Sequence, residues 1–541
     1  MSETKVKHAD EIFKSFKTQS VSEFFKKNAA MLGYTGKLRS LTTLVHEGVT
    51  NSLDACEEAR FFPDISVYIS EVGPEHYRVI MEDNASGIPL DYIPHVFGKM
   101  LAGSKAHRNI QSRGQQGIGV SGAVMYSQVT TGKSTEVVTS TGDKVINKVN
   151  IKIDVEKNTG EILSHETLKN PDKWRGTRIN LEAKNLQYNR SKYGPYSYLK
   201  MTAIANPHTR ILFVEPDGTK ILFDRNVRSI PKHPKEMKPH PHGTSADDIL
   251  SMIKNSSATR VRTFLVSEFT RVSAKKVEEI EQLSKLDLDI NPKKVDWEYA
   301  ENLVNAIKQI SFMAPPTEGL IPIGAESVKL GLEGILAPEF VHTVTRSPQT
   351  YHGGIAFIVE AGIAYGGGAG NNGLDIIRYA NRTPLIFDQG GCCITEAAKS
   401  VEWKRYGVKD DNAPLTIFVN LVSTHIPYTS AGKQAIANEE EIYNEIRFAL
   451  MEAGRSLSRY LSGKRRAHEK LTKKKTLLRY VVETSNAIGN LIKSEDKSKI
   501  INALTDIVEK KYDFEESNGG EEEVTAALEE NGEEEVSENG D

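Results

Sequence analysis

Glu47-Gly48-Val49-Thr50-Asn51-Ser52-Leu53-Asp54-Ala55 decides how the rest of this chain is read. With His46, residues Glu47, Thr50, Asn51 and Asp54 fall at i, i+1, i+4, i+5 and i+8, one continuous polar stripe on a helix. Leu41, Leu44, Val45 and Val49 cover the opposite side. A polar stripe alone describes a solvated helix face at least as well as a pocket wall. If it lines a pocket, Glu47 is placed to take a proton from an attacking water. Asn51 can then offer its side-chain oxygen to Mg²⁺, a hard ion that prefers oxygen ligands.

Three further pieces follow in order. Asp83-Asn84-Ala85-Ser86-Gly87-Ile88 comes after the strand-like run Tyr77–Glu82. It reads either as an ordinary Asx-rich turn or as a carboxylate at a strand end that accepts a hydrogen bond from an adenine amino group, with Gly87 leaving room for the base. Arg113-Gly114-Gln115-Gln116-Gly117-Ile118-Gly119-Val120 is a glycine-rich loop that leads into a predicted helix. Backbone N–H groups in such a loop, with a helix N-terminus behind them, bind phosphate. It is neither a Walker loop nor a dinucleotide fingerprint, and alone it is weak. Arg175-Gly176-Thr177-Arg178-Ile179 is the last piece. Together they supply a base, a metal-binding amide, a purine acceptor and a phosphate cradle, the parts of an ATP site.

The order of these boxes resembles the Bergerat-fold (GHKL) ATPases, the group of gyrase, MutL and histidine kinases. The likeness extends to Val96–Lys105, Gly194–Leu199, Arg378–Leu385 and Thr429–Ala437, where the chain resembles the B subunits of archaeal type IIB topoisomerases over about residues 15 to 510. The resemblance implies that Glu47 is the general base and Asn51 the Mg²⁺ ligand. Asp83 then reads the adenine, with Gly87 beside it, and Thr177 helps to hold the adenine-site water. Ser104 and Lys105 match the lid, and Arg113, Gly114, Gln115, Gln116, Gly117, Ile118, Gly119 and Val120 the phosphate loop. Lys433, in a Ser-Ala-Gly-Lys turn, matches a second catalytic residue that reaches the γ-phosphate from another domain. One departure is Thr50, where many members carry a second Glu; Gly48 is also a poor helix residue. Neither falls on a matched functional position.

The implied fold class is α/β, an α+β sandwich. It comprises a Bergerat-fold ATPase domain with an N-terminal strap (1–230), a helix-two-turn-helix insert (231–310), and a ribosomal-S5-like transducer domain with a long C-terminal helix (311–500). Proline punctuation at Pro231, Pro234, Pro239 and Pro241 marks the first boundary. Residues 501–541 form an acidic tail, expected to be disordered. In the insert, Arg260, Arg262, Arg271, Lys275 and Lys276 are candidate DNA-phosphate contacts, although scattered solvated charges are as good a reading of each. Asp287-Leu288-Asp289 reads as structural.

Composition is that of a globular protein, with no apolar run near the roughly 20 residues of a membrane span. Three cysteines, two of them adjacent, give neither a disulfide framework nor a zinc spacing. The polar N-terminus lacks a signal-peptide core, so a cytoplasmic location is expected. The net charge of -3 hides an asymmetry: Glu515 to Asp541 holds twelve acidic residues, and the remainder carries 69 basic against 60 acidic side chains. That mildly basic body is compatible with DNA contact.

The resemblance implies an ATP- and Mg²⁺-dependent subunit of a type IIB DNA topoisomerase that dimerises on ATP binding and clamps double-stranded DNA. The break would be made by a partner A subunit carrying the cleavage tyrosine, in an A2B2 heterotetramer that relaxes supercoils and decatenates DNA. The alternatives are another Bergerat ATPase, such as a MutL-like repair protein, or a non-catalytic DNA-binding clamp.

Overall fold

The computed structural model describes residues 29, 33–100, 109–114, 119–155, 157–370, 373–408, 412–430, 432–492 and 497–519. Ser104, Lys105, Gln115, Gln116, Gly117, Ile118 and the strap before residue 29 lie outside the described residues.

Helix α1 (Lys37–Glu58) buries Leu41, Leu44, Val45, Val49 and Leu53. Gly48 finds its reason here: an added Cβ would stand 2.2 Å from Met81 Sδ, so glycine lets the helix lie close on the sheet. That sheet is formed by β1 (Asp64–Gly73), β2 (His76–Asp83), β3 (Thr135–Thr141), β4 (Val145–Asp154), β5 (Thr159–Lys169), β6 (Arg175–Lys184), β7 (Arg210–Val214) and β8 (Lys220–Phe223). Their order is β5-β4-β3-β6-β2-β1-β7-β8, antiparallel except for the parallel pair β1/β7. Among the described residues, α2 (Ile93–Gly98), α3 (Gly119–Thr131) and α4 (Pro195–Ala205) are the further α-helices of this half. Helix on sheet gives a two-layer sandwich with one apolar core. Strand β5 escaped the sequence reading because almost every residue in it is exposed, leaving little apolar alternation to detect.

The helical insert comprises α5 (Ala246–Asn255), α6 (Val261–Glu268), α7 (Ala274–Ser284) and α8 (Trp297–Lys308) around Phe264, Leu265, Ile280, Leu303 and Ile307. Ser245 and Asp248 form a capping box at the start of α5.

A second sheet follows α9 (Ala325–Leu336). Its strands are β9 (Phe340–Thr345), β10 (Gln349–Tyr351), β11 (Ile355–Tyr365), β12 (Leu374–Ala380), β13 (Thr383–Pro384) and β14 (Leu415–Ser423), with α10 (Cys393–Ser400) between β13 and β14. The path is β10-β11-β14-β12-β13, with β9 paired to β11. Strands β11 and β14 are continuous buried runs rather than alternating ones, as expected for strands covered on both faces.

The chain divides into two compact units, 1–455 and 456–541. The first holds both sheets, the insert and the opening of α11 (Glu440–Leu491). The second holds the rest of α11 and α12 (Lys497–Gly519). Residues 501–519, expected to lack structure, are therefore helical. Ile500, Ile501, Leu504, Ile507 and Val508 recur at helical spacing there, and the acidic run begins only afterwards. Residues 520–541 lie outside the described residues.

Candidate ATP site

Strand β2 alternates, with Tyr77, Val79, Met81 and Asp83 all turned inward. The period of two that buries the first three delivers the carboxylate of Asp83 to the helix side of the sheet. Register places Thr177 of β6 opposite Asp83, and Thr139 of β3 opposite Thr177. Asp83, Thr177 and Thr139 thus form one row across three strands.

Every atom in that row is held. Asp83 Oδ1 accepts from the backbone N–H of Ala85 (3.0 Å) and of Thr177 (3.2 Å), while Oδ2 accepts from Ser52 Oγ on α1 (2.9 Å). Thr139 Oγ1 lies 3.2 Å from Thr177 Oγ1, and the N–H of Ile88 donates to it at 2.9 Å. Burial raises the Asp83 carboxyl above its ordinary pKa, and the three donors oppose that rise. A carboxylate with spare lone pairs still has room for one more donor. Gly176, at φ 140°, passes beneath it; a Cβ there would stand 2.0 Å from the Asp83 carbonyl oxygen. The Cβ that Gly87 lacks would meet the Ser140 carbonyl oxygen at 2.1 Å.

Along α1, Glu47 and Asn51 face the start of α3. A Cβ on Gly119 would stand 2.1 Å from Glu47 Oε2, so the first turn of α3 lies against this carboxylate and any side chain there would displace it. Val120 continues the same first turn of α3. The Asn51 Nδ2 donates to the Glu47 carbonyl at 2.7 Å, which turns Oδ1 outward, and Asn51 is exposed. That outward oxygen suits a hard cation, so these residues fit Mg²⁺. Thr50, part of the polar stripe in sequence, is instead buried against Tyr198, its Oγ1 3.4 Å from the phenol oxygen.

Lys433, in the second-sheet region, lies within electrostatic range of this helix. Its turn is closed by the Tyr428–Ile436 bridge, and its own φ is 52°. Beside it, Gln434 Oε1 accepts from Phe387 N–H (3.2 Å), and the Gln434 carbonyl accepts from Arg378 Nη1 (3.4 Å). Arg378 is fully buried, and its Nη2 donates to the carbonyls of Leu385 and Phe387 at 2.7 Å each. Burial lowers the Lys433 ammonium pKa, and the charges of Glu47 and Asp54 partly restore it. The same proximity appears at His46, lowered by burial, raised by Glu47 and lowered again by Lys433. The Glu47 carboxylate and the Asn51 amide on α1 thus share an electrostatic neighbourhood with a cation contributed by a distant part of the chain.

Arg113 goes elsewhere. Its guanidinium meets Asp54 Oδ1 and Glu57 Oε1 at 2.6 Å each and Asn206 Oδ1 at 2.7 Å, and none of these belongs to the Asp83–Thr177–Thr139 row. Gly114 is exposed. In the insert, Arg260 pairs with Asp289 (3.4 Å), Arg262 with both oxygens of Glu281 (2.7 and 2.8 Å), and Lys276 with Glu279 (2.6 Å). Arg271 donates to the Ala314 carbonyl (2.9 Å), whereas Lys275 is exposed with no described partner. Asp289 N–H is capped by Asp287 Oδ1 at 2.9 Å, a local turn.

Residues 36–169 match the histidine kinase-, DNA gyrase B-, and HSP90-like ATPase family, and residues 315–474 match the topoisomerase VI B subunit transducer. A Thermococcus sibiricus protein, named as the B subunit of type 2 DNA topoisomerase 6, is 52% identical, covering 93% of this chain and 97% of that relative. The chain belongs to the topoisomerase VI B subunits. Relatives of the same name from Pyrococcus horikoshii (52% identical; 94% of this chain, 98% of the relative) and Methanothermobacter thermautotrophicus (49%; 86% and 90%) agree. The first sandwich is thus the ATPase domain of a topoisomerase VI B subunit and the second sheet its transducer, and the MutL-like alternative is not favoured. No described helix is long and apolar enough to cross a membrane.

Sequence reading missed Ser52, Thr139 and Asn206. Thr139 was within reach, since it stands in register with Thr177 once β3 and β6 are paired. Ser52 carried no signal of its own beside Asn51.

Proposed function

We propose that this chain is the ATP-hydrolysing subunit of a type IIB DNA topoisomerase, binding ATP between its ATPase domain and its transducer. The observation that carries this reading is the approach of Lys433 to Glu47. The ammonium of Lys433, from the transducer, lies within electrostatic range of Glu47 in the ATPase domain, and in this reading a γ-phosphate would lie between them.

In this reading the adenine amino group donates to Asp83, with Ser52, Thr177 and Thr139 fixing the carboxylate and the site water. Gly119 and Val120 present backbone N–H groups to the phosphates, together with the rest of the segment 113–118. Ser104 and Lys105 complete the lid. Asn51 Oδ1 would hold Mg²⁺, which supplies charge neutralisation at the phosphates. Glu47 takes the proton of the attacking water, and Lys433 steadies the terminal phosphate. Because Lys433 interacts more strongly with a γ-phosphate than with the product, its turn reports nucleotide state to the transducer.

ATP binding would pair two copies into a clamp around duplex DNA, with Arg260, Arg262, Arg271, Lys275 and Lys276 as phosphate contacts. An A subunit carrying the cleavage tyrosine would open the DNA in an A2B2 assembly acting in the cytoplasm. Glu47→Ala tests the core of this reading. ATP turnover should vanish while nucleotide-driven dimerisation, read by light scattering, persists; retained turnover removes Glu47 as the base. ATP-dependent relaxation of supercoiled DNA by the chain mixed with an A subunit tests the assembly.

A further inference from the structure

The transducer contacts α1 at its two ends and acts on its middle through a nearby charge. At its start, Arg39 makes a bidentate pair with Asp388, 3.2 Å to each oxygen, and Ile386 and Phe387 join the ATPase core there. In the middle, Lys433 lies within electrostatic range of Glu47 and Asp54. At the far end, ten residues past Glu47 and so about 15 Å along the axis, the contact is almost wholly polar. It is also more deeply buried than the Arg39–Asp388 pair.

Its parts interlock. Arg382 Nη1 stands 3.7 Å from Glu57 Oε2, and both side chains are largely buried (6% and 14% exposed). Glu57 also takes Arg113 and His208 Nε2 (2.9 Å). Burial alone would raise the Glu57 carboxyl, but Arg113, His208 and Arg382 outweigh it and hold it well below the usual carboxylate range. The segment entering the phosphate loop is gripped from the transducer side. Asn381 Nδ2 donates to the Ser112 carbonyl (3.1 Å), and Gln111 bonds the backbone of Ile321 in both directions (3.1 and 2.6 Å). Arg382 Nη2 donates to the same Ile321 carbonyl at 3.3 Å. A cleft lined in part by Glu57, Gln111, Arg113, His233, Asn381 and Arg382 opens beside this joint, so polar pairs hold this end of α1, whereas at α4 the transducer packs Leu332, Leu336 and Tyr379 in one apolar cluster with Ile204 and Ala205.

Arg382 touches no part of the adenine row, and neither Glu47 nor Asn51 lies against it. It does join the end of the helix that carries both to the strand pair that scaffolds the Lys433 turn, since β12 bears Arg378 and β13 follows Arg382. We infer that Arg382 is a positioning residue for ATP hydrolysis: through Glu57 and Arg113 it holds the transducer in register with α1 and the phosphate-loop stem, so that Lys433 arrives at the terminal phosphate. A loosened joint costs orientation of Lys433, not the base-binding row. Misplacing a catalytic group by an ångström lowers turnover by one to two orders of magnitude without weakening ground-state binding.

This inference rests on the ATPase reading above, and the experiment separates the two. ATP hydrolysis and the Kd for a non-hydrolysable ATP analogue are measured on the full chain and on Arg382→Gln, Arg382→Lys and Gln111→Ala. Arg382→Gln should lower kcat about tenfold with Kd and KM within twofold of the parent. Arg382→Lys, which keeps a cation against Glu57, should recover part of the loss. Gln111→Ala removes a neutral link at the same seam and should give the same kcat-only defect if Arg382→Gln fails to fold. Unchanged kcat in the folded variants overturns the inference, as does a fall in kcat matched by a rise in Kd, the mark of general loosening. A parent chain that does not hydrolyse ATP overturns the ATPase reading itself.

Discussion

Ser52 and Asp83 meet across the gap between α1 and the sheet, Ser52 Oγ donating to Asp83 Oδ2 at 2.9 Å. The pair is buried on both sides. Helix α1 therefore aims the Asp83 carboxylate as well as carrying Glu47 and Asn51, so one helix positions both the groups proposed for the adenine end and those proposed for the phosphate end of the site.

Ser52→Ala should weaken ATP binding about 10- to 150-fold, the effect of one buried hydrogen bond lost from a carboxylate. Titration calorimetry with a non-hydrolysable analogue reads it directly. Turnover at saturating ATP should be unchanged, because Glu47 and Lys433 stand at the other end of the pocket. Unaltered affinity would mean that Ser52 does not orient Asp83.

Gly176→Ala and Gly218→Ala form a controlled comparison. Both glycines have positive φ, 140° and 86°, but a Cβ at Gly218 meets nothing within 4 Å, whereas one at Gly176 meets the Asp83 carbonyl oxygen at 2.0 Å. Gly218→Ala should cost about 1–2 kcal/mol of stability from backbone strain alone. Gly176→Ala should lower the melting temperature further and abolish ATP binding, since the Asp83 turn must shift. Equal melting temperatures would remove the close approach as the reason for glycine.

The placement of Glu47, Asn51 and Asp83 was legible in sequence because local periodicity fixes the elements that carry them. Glu47 and Asn51 follow from a helical stripe, and Asp83 from the alternation Tyr77, Val79, Met81. Arg113 was not legible. Its place in a glycine-rich loop suggests phosphate, yet its side chain turns to Asp54 and Glu57, a choice made by tertiary packing that no spacing records. Thr50 misled for a related reason: the stripe is wide enough on a helical wheel to include it, but Tyr198 from α4 covers that position. Lys433 became visible only through family resemblance, since the turn that carries it meets α1 through long-range folding.

Lys433 gives a pH-dependence with a definite sign. Burial lowers its pKa below the 10.5 of a free side chain, outweighing the upward pull of Glu47 and Asp54. Its charge is complete at lower pH and is lost as pH rises through that lowered value. The pH profile of kcat/KM, which reports the free enzyme, should thus fall on the alkaline side before pH 10.5. Lys433→Arg should be less active throughout but lack this alkaline limb, because a guanidinium stays charged. Lys433→Ala should still bind nucleotide while dimerising less in response to it. A limb that persists in Lys433→Arg would assign it to another group.

The helical insert offers a test of which basic residues meet DNA. Arg262 is already committed, its guanidinium spanning both oxygens of Glu281 and standing 3.6 Å from Asp289. Lys275 is exposed at the start of α7 and has no described partner, so nothing must be broken before it meets a phosphate. Each phosphate contact contributes about 0.9 to the slope of log K against log salt concentration on duplex DNA. Lys275→Ala should therefore weaken DNA binding equally across sequences and reduce that slope by about one. Arg262→Ala should instead disturb the insert, lowering its melting temperature with a smaller change in slope, because the residue must leave Glu281 to reach DNA. Fluorescence anisotropy with a labelled duplex at several salt concentrations separates the two, and an unchanged slope for Lys275→Ala would remove it from the interface.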